Sequence, residues 1–178
     1  MAGTAFRDPD VFDNGRLVMN SDTAHRTHSG PPSWTRLLTR SPRVIPSPGL
    51  RTTVTVLILV GAVLTVISGV IHLYLWGETN GYREIATIGP LFLVQAISAL
   101  IIGVATAALR WLVTVLAAAG LLAGTAIGLL VTIEVGLFGF QESWGAPYAR
   151  SSFYEEIVGA VLLLVAAWLL AVRKTGQH

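Results

Sequence analysis

Residues 54–76 read VTVLILVGAVLTVISGVIHLYLW, twenty-three residues in which His72 is the only acidic or basic side chain. A helix rises about 1.5 Å per residue, so about 20 such residues cross a hydrocarbon core of about 30 Å. This stretch therefore reads as a membrane span, and the rest of the chain follows from it. Residues 88–109 carry no formal charge, and residues 111–140 carry only Glu134. Residues 157–172 are uncharged but short, bounded by Glu155, Glu156 and Arg173. The sequence SFYE at 152–155 has the spacing of a capping box, which lengthens the fourth segment by starting its helix near Ser152. The expected fold class is an all-α membrane protein, a four-transmembrane-helix bundle with a disordered N-terminal tail. The expected helices are about 53–76, 88–109, 111–138 and 152–172, within a transmembrane domain over 51–174.

Composition agrees. Of 178 residues, 53% are hydrophobic and 12% charged, with a mean hydropathy of +0.65. Soluble domains carry about 25% charged residues, so this chain cannot remain a monomer in water. Residues 1–50 differ sharply: they hold six prolines, four aspartates and six arginines. Such a segment buries too little apolar surface to offset its ordering entropy and is expected to be a disordered cytoplasmic tail, basic near the membrane. Within it, Trp34, Leu37 and Leu38 beside Arg36 and Arg40 could lie on a membrane surface. Plain positive-inside flanking is the simpler reading.

Orientation is read from the basic residues. The tail through Arg51, the turn at Arg110 and the end at Arg173 and Lys174 hold ten of the twelve, leaving Arg83 and Arg150 opposite. The positive-inside rule then puts both termini, including residues 175–178, in the cytoplasm. Tyr74, Trp76, Tyr82, Trp144, Tyr148 and Tyr154 fall near the outer boundary, as amphipathic rings prefer.

Lipid removes the usual hydrophobic drive between helices, so small residues that allow close backbone approach take its place. The third span offers Gly120, Gly124 and Gly128, and the second offers Ala99 and Gly103, at four-residue spacing. The third span is therefore expected to be the central, most closely packed helix. Gly124→Leu is expected to disrupt assembly more than Leu130→Ala.

Polar side chains inside the spans are costly and mark candidate function. Ser68 and His72 share one face of the first span. Gln95 in the second and Glu134 in the third fall at similar height in the outer leaflet. The expectation is a polar pocket of His72, Glu134, Gln95 and Ser68, with Glu155 and Glu156 at its outer mouth. A His72–Glu134 pair there could relay protons, sense external pH or hold a ligand. The alternative is that both residues merely satisfy interfacial water and neighbouring helices.

The chain has no cysteine, which removes thiolate metal sites, disulfides and a cysteine nucleophile. One histidine and one carboxylate fall short of a metal-ligand set. No HExxH, GxSxG or Gly-rich phosphate loop is present. No catalytic residue, metal or cofactor is expected, and a net charge of +2 gives no footprint for nucleic acid.

The stretches IHLYLW at 71–76, GYREIATIGPLFL at 81–93, GLFGF at 136–140 and APY at 146–148 resemble a family of small four-helix integral membrane proteins of actinobacteria. The resemblance covers about 52–172 and implies a bacterial plasma membrane, with no activity and no functional residues. The leading expectation is a non-enzymatic accessory or scaffold subunit, working as a homo-oligomer or in a larger membrane complex, with the lipid bilayer as its surroundings. The alternatives are a small transporter or proton-linked permease using the outer His/Glu site, or a quinone- or haem-associated subunit of a redox complex.

Overall fold

A computed structural model describes residues 33–78 and 81–172. The elements are α1 (Ser33–Leu38), a 3-10 turn (Pro42–Val44), α2 (Pro48–Gly77), a second 3-10 turn (Tyr82–Glu84), α3 (Ile88–Leu109), α4 (Leu112–Glu134) and α5 (Ala149–Val172). α2 to α5 are each long and apolar enough to cross a membrane, and they pack together as an all-α bundle. Valine, leucine and isoleucine side chains such as Val63, Ile101, Ile127 and Val161 stay exposed around it, the surface a lipid-facing bundle needs.

Helix boundaries shift for local reasons. α2 begins at Pro48 rather than near residue 53, because proline suits the first helical turn and lacks only an N–H that would be unsatisfied there. α4 stops at Glu134 rather than 138. Gly136 takes φ +85° and its N–H reaches Val131 O at 3.1 Å, closing the helix end. Leu137 and Phe140 then pair across a tight turn. α5 starts at Ala149, so the capping box is not used. Tyr148 at φ +62° turns the chain into the helix, and Ser152 lies buried inside it with its N–H on Tyr148 O.

The expected tail reached residue 50. Its residues 1–32 lie outside the described residues, as do 173–178. Residues 33–50 carry defined structure, and Arg40 accounts for much of it. Its Nη1 donates to Leu170 O and Ala171 O, both at 3.1 Å, and its carbonyl accepts the Leu112 N–H at 2.8 Å. A guanidinium there satisfies orphan carbonyls at the α5 C-terminus, where the helix dipole favours positive charge. Trp34 and Leu37, three residues apart on α1, stay exposed.

The close packing is not where the glycine stripe on α4 suggests. A Cβ on Gly120, Gly124 or Gly128 would meet nothing within 4 Å. The tight contacts belong to α2, α3 and α5. A Cβ on Gly69 would meet Ala99 Cβ at 3.0 Å, and one on Gly103 would meet Val66 Cγ2 at 2.7 Å, joining α2 to α3. A Cβ on Gly61 would meet Leu163 Cγ at 2.5 Å, joining α2 to α5, and one on Gly159 would meet Leu122 Cδ1 at 2.6 Å, joining α5 to α4. α2 is therefore the central helix, not α4. It packs along both α3 and α5 and only lightly against α4. Val54 and Ile58 of α2, Leu112, Val115, Ala118 and Leu122 of α4, and Leu163, Ala166 and Leu170 of α5 form one core. That core fills the end of the bundle nearest the α3–α4 hairpin.

At that hairpin α3 and α4 touch, where the Thr106 hydroxyl donates to Thr114 O at 3.0 Å. Further along they touch little, because α3 is held on α2 and α4 on α5. The space left between them is a cavity of the bundle.

Candidate functional site

The cavity has a volume of about 360 Å³ and lies at the bundle end carrying the 78–87 and 135–148 loops. Its long wall is the α4 face bearing Gly120, Gly124, Gly128 and Thr132. Twelve residues of helix separate Gly120 from Thr132, so this wall runs about 18 Å. Gly120 and Gly124 are themselves exposed, so the wall opens to the surroundings of the bundle. The facing wall comes from Leu91, Phe92 and Gln95 of α3, and the depth is set by His72 of α2 and Glu156 of α5. Ring packing closes the loop end. Tyr82 stacks on Phe92 at 4.3 Å between centroids, and Phe140 meets Tyr82 edge-on at 5.9 Å.

Four of the expected pocket residues stand on three helices, and the structure brings three of them to this cavity's walls or backing. Ser68 is fully buried, and its hydroxyl donates to Glu156 Oε1 at 2.9 Å. His72 lies one turn further along α2. Its Nδ1 is 2.8 Å from Ser68 O, and since a carbonyl only accepts, Nδ1 carries the proton. Nε2 is the ring's remaining polar atom. The ring also packs on Phe92 with centroids 5.0 Å apart. Gln95 lines the cavity with its Nε2 buried and unpartnered.

Glu134 does not join them. It is the last residue of α4, exposed, and not among the cavity-lining residues. The carboxylate of the site is Glu156, which stands inside the bundle rather than at its mouth. It is 0% exposed, seven residues into α5 and so about 10 Å from the helix start. Its Oε1 holds the Ser68 bond, and its Oε2 is buried without a partner among the described residues. Glu155, on a different face, is half-buried, and neither of its oxygens has a partner among the described residues.

Some participants escaped the sequence reading. Tyr82 donates its hydroxyl to Glu142, which also accepts the Ser143 N–H at 3.0 Å. Burial, and then the bond and the charge of Glu142, push the Tyr82 phenol well above its ordinary range. Sixty residues separate the two, and no local spacing links them. Thr125 and Thr132 also line the cavity, but their hydroxyls are spent on the α4 carbonyls of Leu121 and Gly128. Their periodicity with the glycines was the available signal.

Chemically, the site is an apolar cleft with a few convergent polar groups, the usual composition of a small-molecule site. It presents two acceptors, Glu156 Oε2 and His72 Nε2, and one donor, Gln95 Nε2, none with a hydrogen-bond partner among the described residues. Among the described residues, no lysine or arginine lines it. The fold and the site together define a small polytopic membrane protein with an intramembrane cavity. No family model, curated protein or solved structure shows significant similarity to the chain.

Proposed function

We propose that this is a non-enzymatic, multi-pass protein of a bacterial plasma membrane that holds a small amphipathic molecule in the cavity between α3 and α4. The molecule places a hydrogen-bond donor on Glu156 Oε2 and an acceptor on Gln95 Nε2, with its apolar body along the glycine wall of α4. The observation that carries this reading is the fully buried Glu156 oxygen without a partner at the depth of an apolar cleft. Leaving a buried carboxyl oxygen unmet is costly, and intramembrane ionisable residues are kept where they serve a function. The placement of ten of twelve basic residues on one side supports cytoplasmic termini, so the cavity faces the outer leaflet.

A second reading is the accessory or scaffold subunit, as a homo-oligomer or within a larger complex. The exposed Gly120 and Gly124 favour it, since a smooth open wall also suits a helix from another chain.

The test is extraction of protein purified in nanodiscs, followed by mass spectrometry of the small molecules released. A stoichiometric amphipathic compound present with the wild-type and absent with Glu156→Leu supports the ligand reading. Identical profiles for the two proteins reject it. A co-purifying polypeptide lost on Gly124→Leu supports the scaffold reading instead.

A further inference from the structure

We infer that the hairpin end of the bundle carries a second site, separate from the α3–α4 cavity, that binds the phosphate headgroup of an anionic phospholipid. A pocket of about 520 Å³ lies there, and Arg43, Arg51 and Arg110 converge on it from the segment before α2, the first turn of α2 and the α3–α4 turn. No acidic residue lines it. Among the described residues, none of the three guanidinium groups has an ion-pair or hydrogen-bond partner, the one ion pair being Arg83 with Glu84 on the loops. Three unpaired guanidiniums at the rim of a bundle are the recognition chemistry of a phosphodiester, which they meet with forked N–H donors. Basic pockets between spans take lipid headgroups in this way.

The apolar side of the pocket decides for a lipid over a free anion. Val56 and Leu109 line it and remain exposed, 52% and 42%, and Trp111 beside them is 38% exposed. They continue along the exposed faces of α2 and α3 through Val60, Val63, Val104 and Ile101. An acyl chain leaving the headgroup follows that track, and the indole marks the interface. Arg110 adds a further sign. It caps α3 at φ +53°, in the left-handed region where glycine is the usual residue. An arginine there carries backbone strain that glycine would not, so the side chain supplies something the turn does not need.

The experiment uses the full chain, purified in mild detergent with equal phosphatidylglycerol and phosphatidylcholine of matched acyl chains, and native mass spectrometry of retained lipid. Phosphatidylglycerol is expected to be retained about a hundredfold over phosphatidylcholine, at about fivefold for each of the three arginines. Arg110→Gly keeps the turn, because glycine adopts that region without strain. It is expected to lower the preference about fivefold while raising thermal stability in lipid-free detergent. Arg43→Gln with Arg51→Gln is expected to lower the preference about 25-fold, leaving the roughly fivefold share of Arg110. Arg36→Gln, outside the pocket, removes the same charge and is expected to leave it unchanged. Equal retention of the two lipids, an equal loss with Arg36→Gln, or displacement of the lipid by millimolar inorganic phosphate would each overturn the inference.

Discussion

The Ser68–Glu156 hydrogen bond joins α2 to α5 and gives the sharpest quantitative handle on the site. The bond is 2.9 Å long and both side chains are 0% exposed. Ser68→Ala removes the only hydrogen-bond partner that Glu156 has among the described residues and leaves both carboxyl oxygens unmet in an apolar setting. An unsatisfied buried group costs about 1–3 kcal/mol, whereas interhelical bonds in membranes couple by about 0.6 and at most about 1.7 kcal/mol. The expected loss is therefore about 1–2 kcal/mol. Glu156→Leu acts differently, because it removes the buried polar group itself. Ser68 can then turn to its own helix, as Thr65 already does by donating to Gly61 O at 2.8 Å. Replacing a buried polar group by an apolar one of similar size is often neutral or stabilising, so this variant should lie within about 1 kcal/mol of wild-type. In the Glu156→Leu background, Ser68→Ala should cost under about 0.5 kcal/mol, giving a coupling of about 1 kcal/mol. The assay is equilibrium unfolding of the four proteins in mixed micelles, followed by tryptophan fluorescence. The same cycle on His72 and Glu134 should give a coupling within about 0.3 kcal/mol, since Glu134 is exposed and away from the cavity. An equal cost for Ser68→Ala in both backgrounds would refute the reasoning.

The glycines should separate by helix. Gly159→Leu meets Leu122 and Leu64 and should cost about 1–3 kcal/mol by overpacking, while Gly124→Leu has open space and should leave folded yield unchanged, as size-exclusion in detergent would show. Tyr82→Phe should cost about 1 kcal/mol at neutral pH, read from thermal unfolding. The Tyr82 phenol is raised in the folded state, so its contribution is full below the ordinary phenol value of about 10 and is lost as pH climbs towards the folded value. Unfolding of Tyr82→Phe should accordingly be less sensitive to alkaline pH than wild-type. Arg40→Gln should free the α5 C-terminus, seen as faster amide exchange through Leu170 and Ala171, with α2–α3 contacts unaffected.

The four spans were legible because apolar run length alone sets them, and lipid demands that each satisfy its backbone internally. Their ends were less so. Pro48 and Gly136 carry the signals for where α2 begins and α4 stops, but the charge of Arg51 cut the apolar run short at one end, and the uncharged residues 135–138 extended it at the other. Rotation about the helix axis was the larger gap. Glu134 and Glu156 both lie towards the loop ends of their spans, and position along a helix cannot say which of them faces inward. In α5, Ser152, Glu156, Gly159, Leu163, Ala166 and Leu170 recur at three- and four-residue steps and are all buried, so the inward face could have been traced from that stripe. Glu134 terminates α4 beside the exposed Val135, with no such stripe to turn it inward. The Gly120–Gly124–Gly128 series misled for a related reason. Small residues permit close approach without compelling it, and here Gly69 and Gly103 hold α3 on α2, so the α4 face is left open. The Arg40 cap lay in a segment whose composition argued against structure, because its partners are backbone carbonyls some 130 residues away.

The most direct test of an intramembrane cavity that ends on Glu156 and opens along the glycine wall is chemical modification from the hydrocarbon phase. The protein in nanodiscs is treated with dicyclohexylcarbodiimide, an apolar carboxyl reagent, and the adducts are located by peptide mass mapping. The predicted result is an adduct on Glu156 that is suppressed when Gly124→Leu narrows the opening. An unmodified Glu156 beside a modified Glu134, or equal Glu156 modification in wild-type and Gly124→Leu, would contradict it.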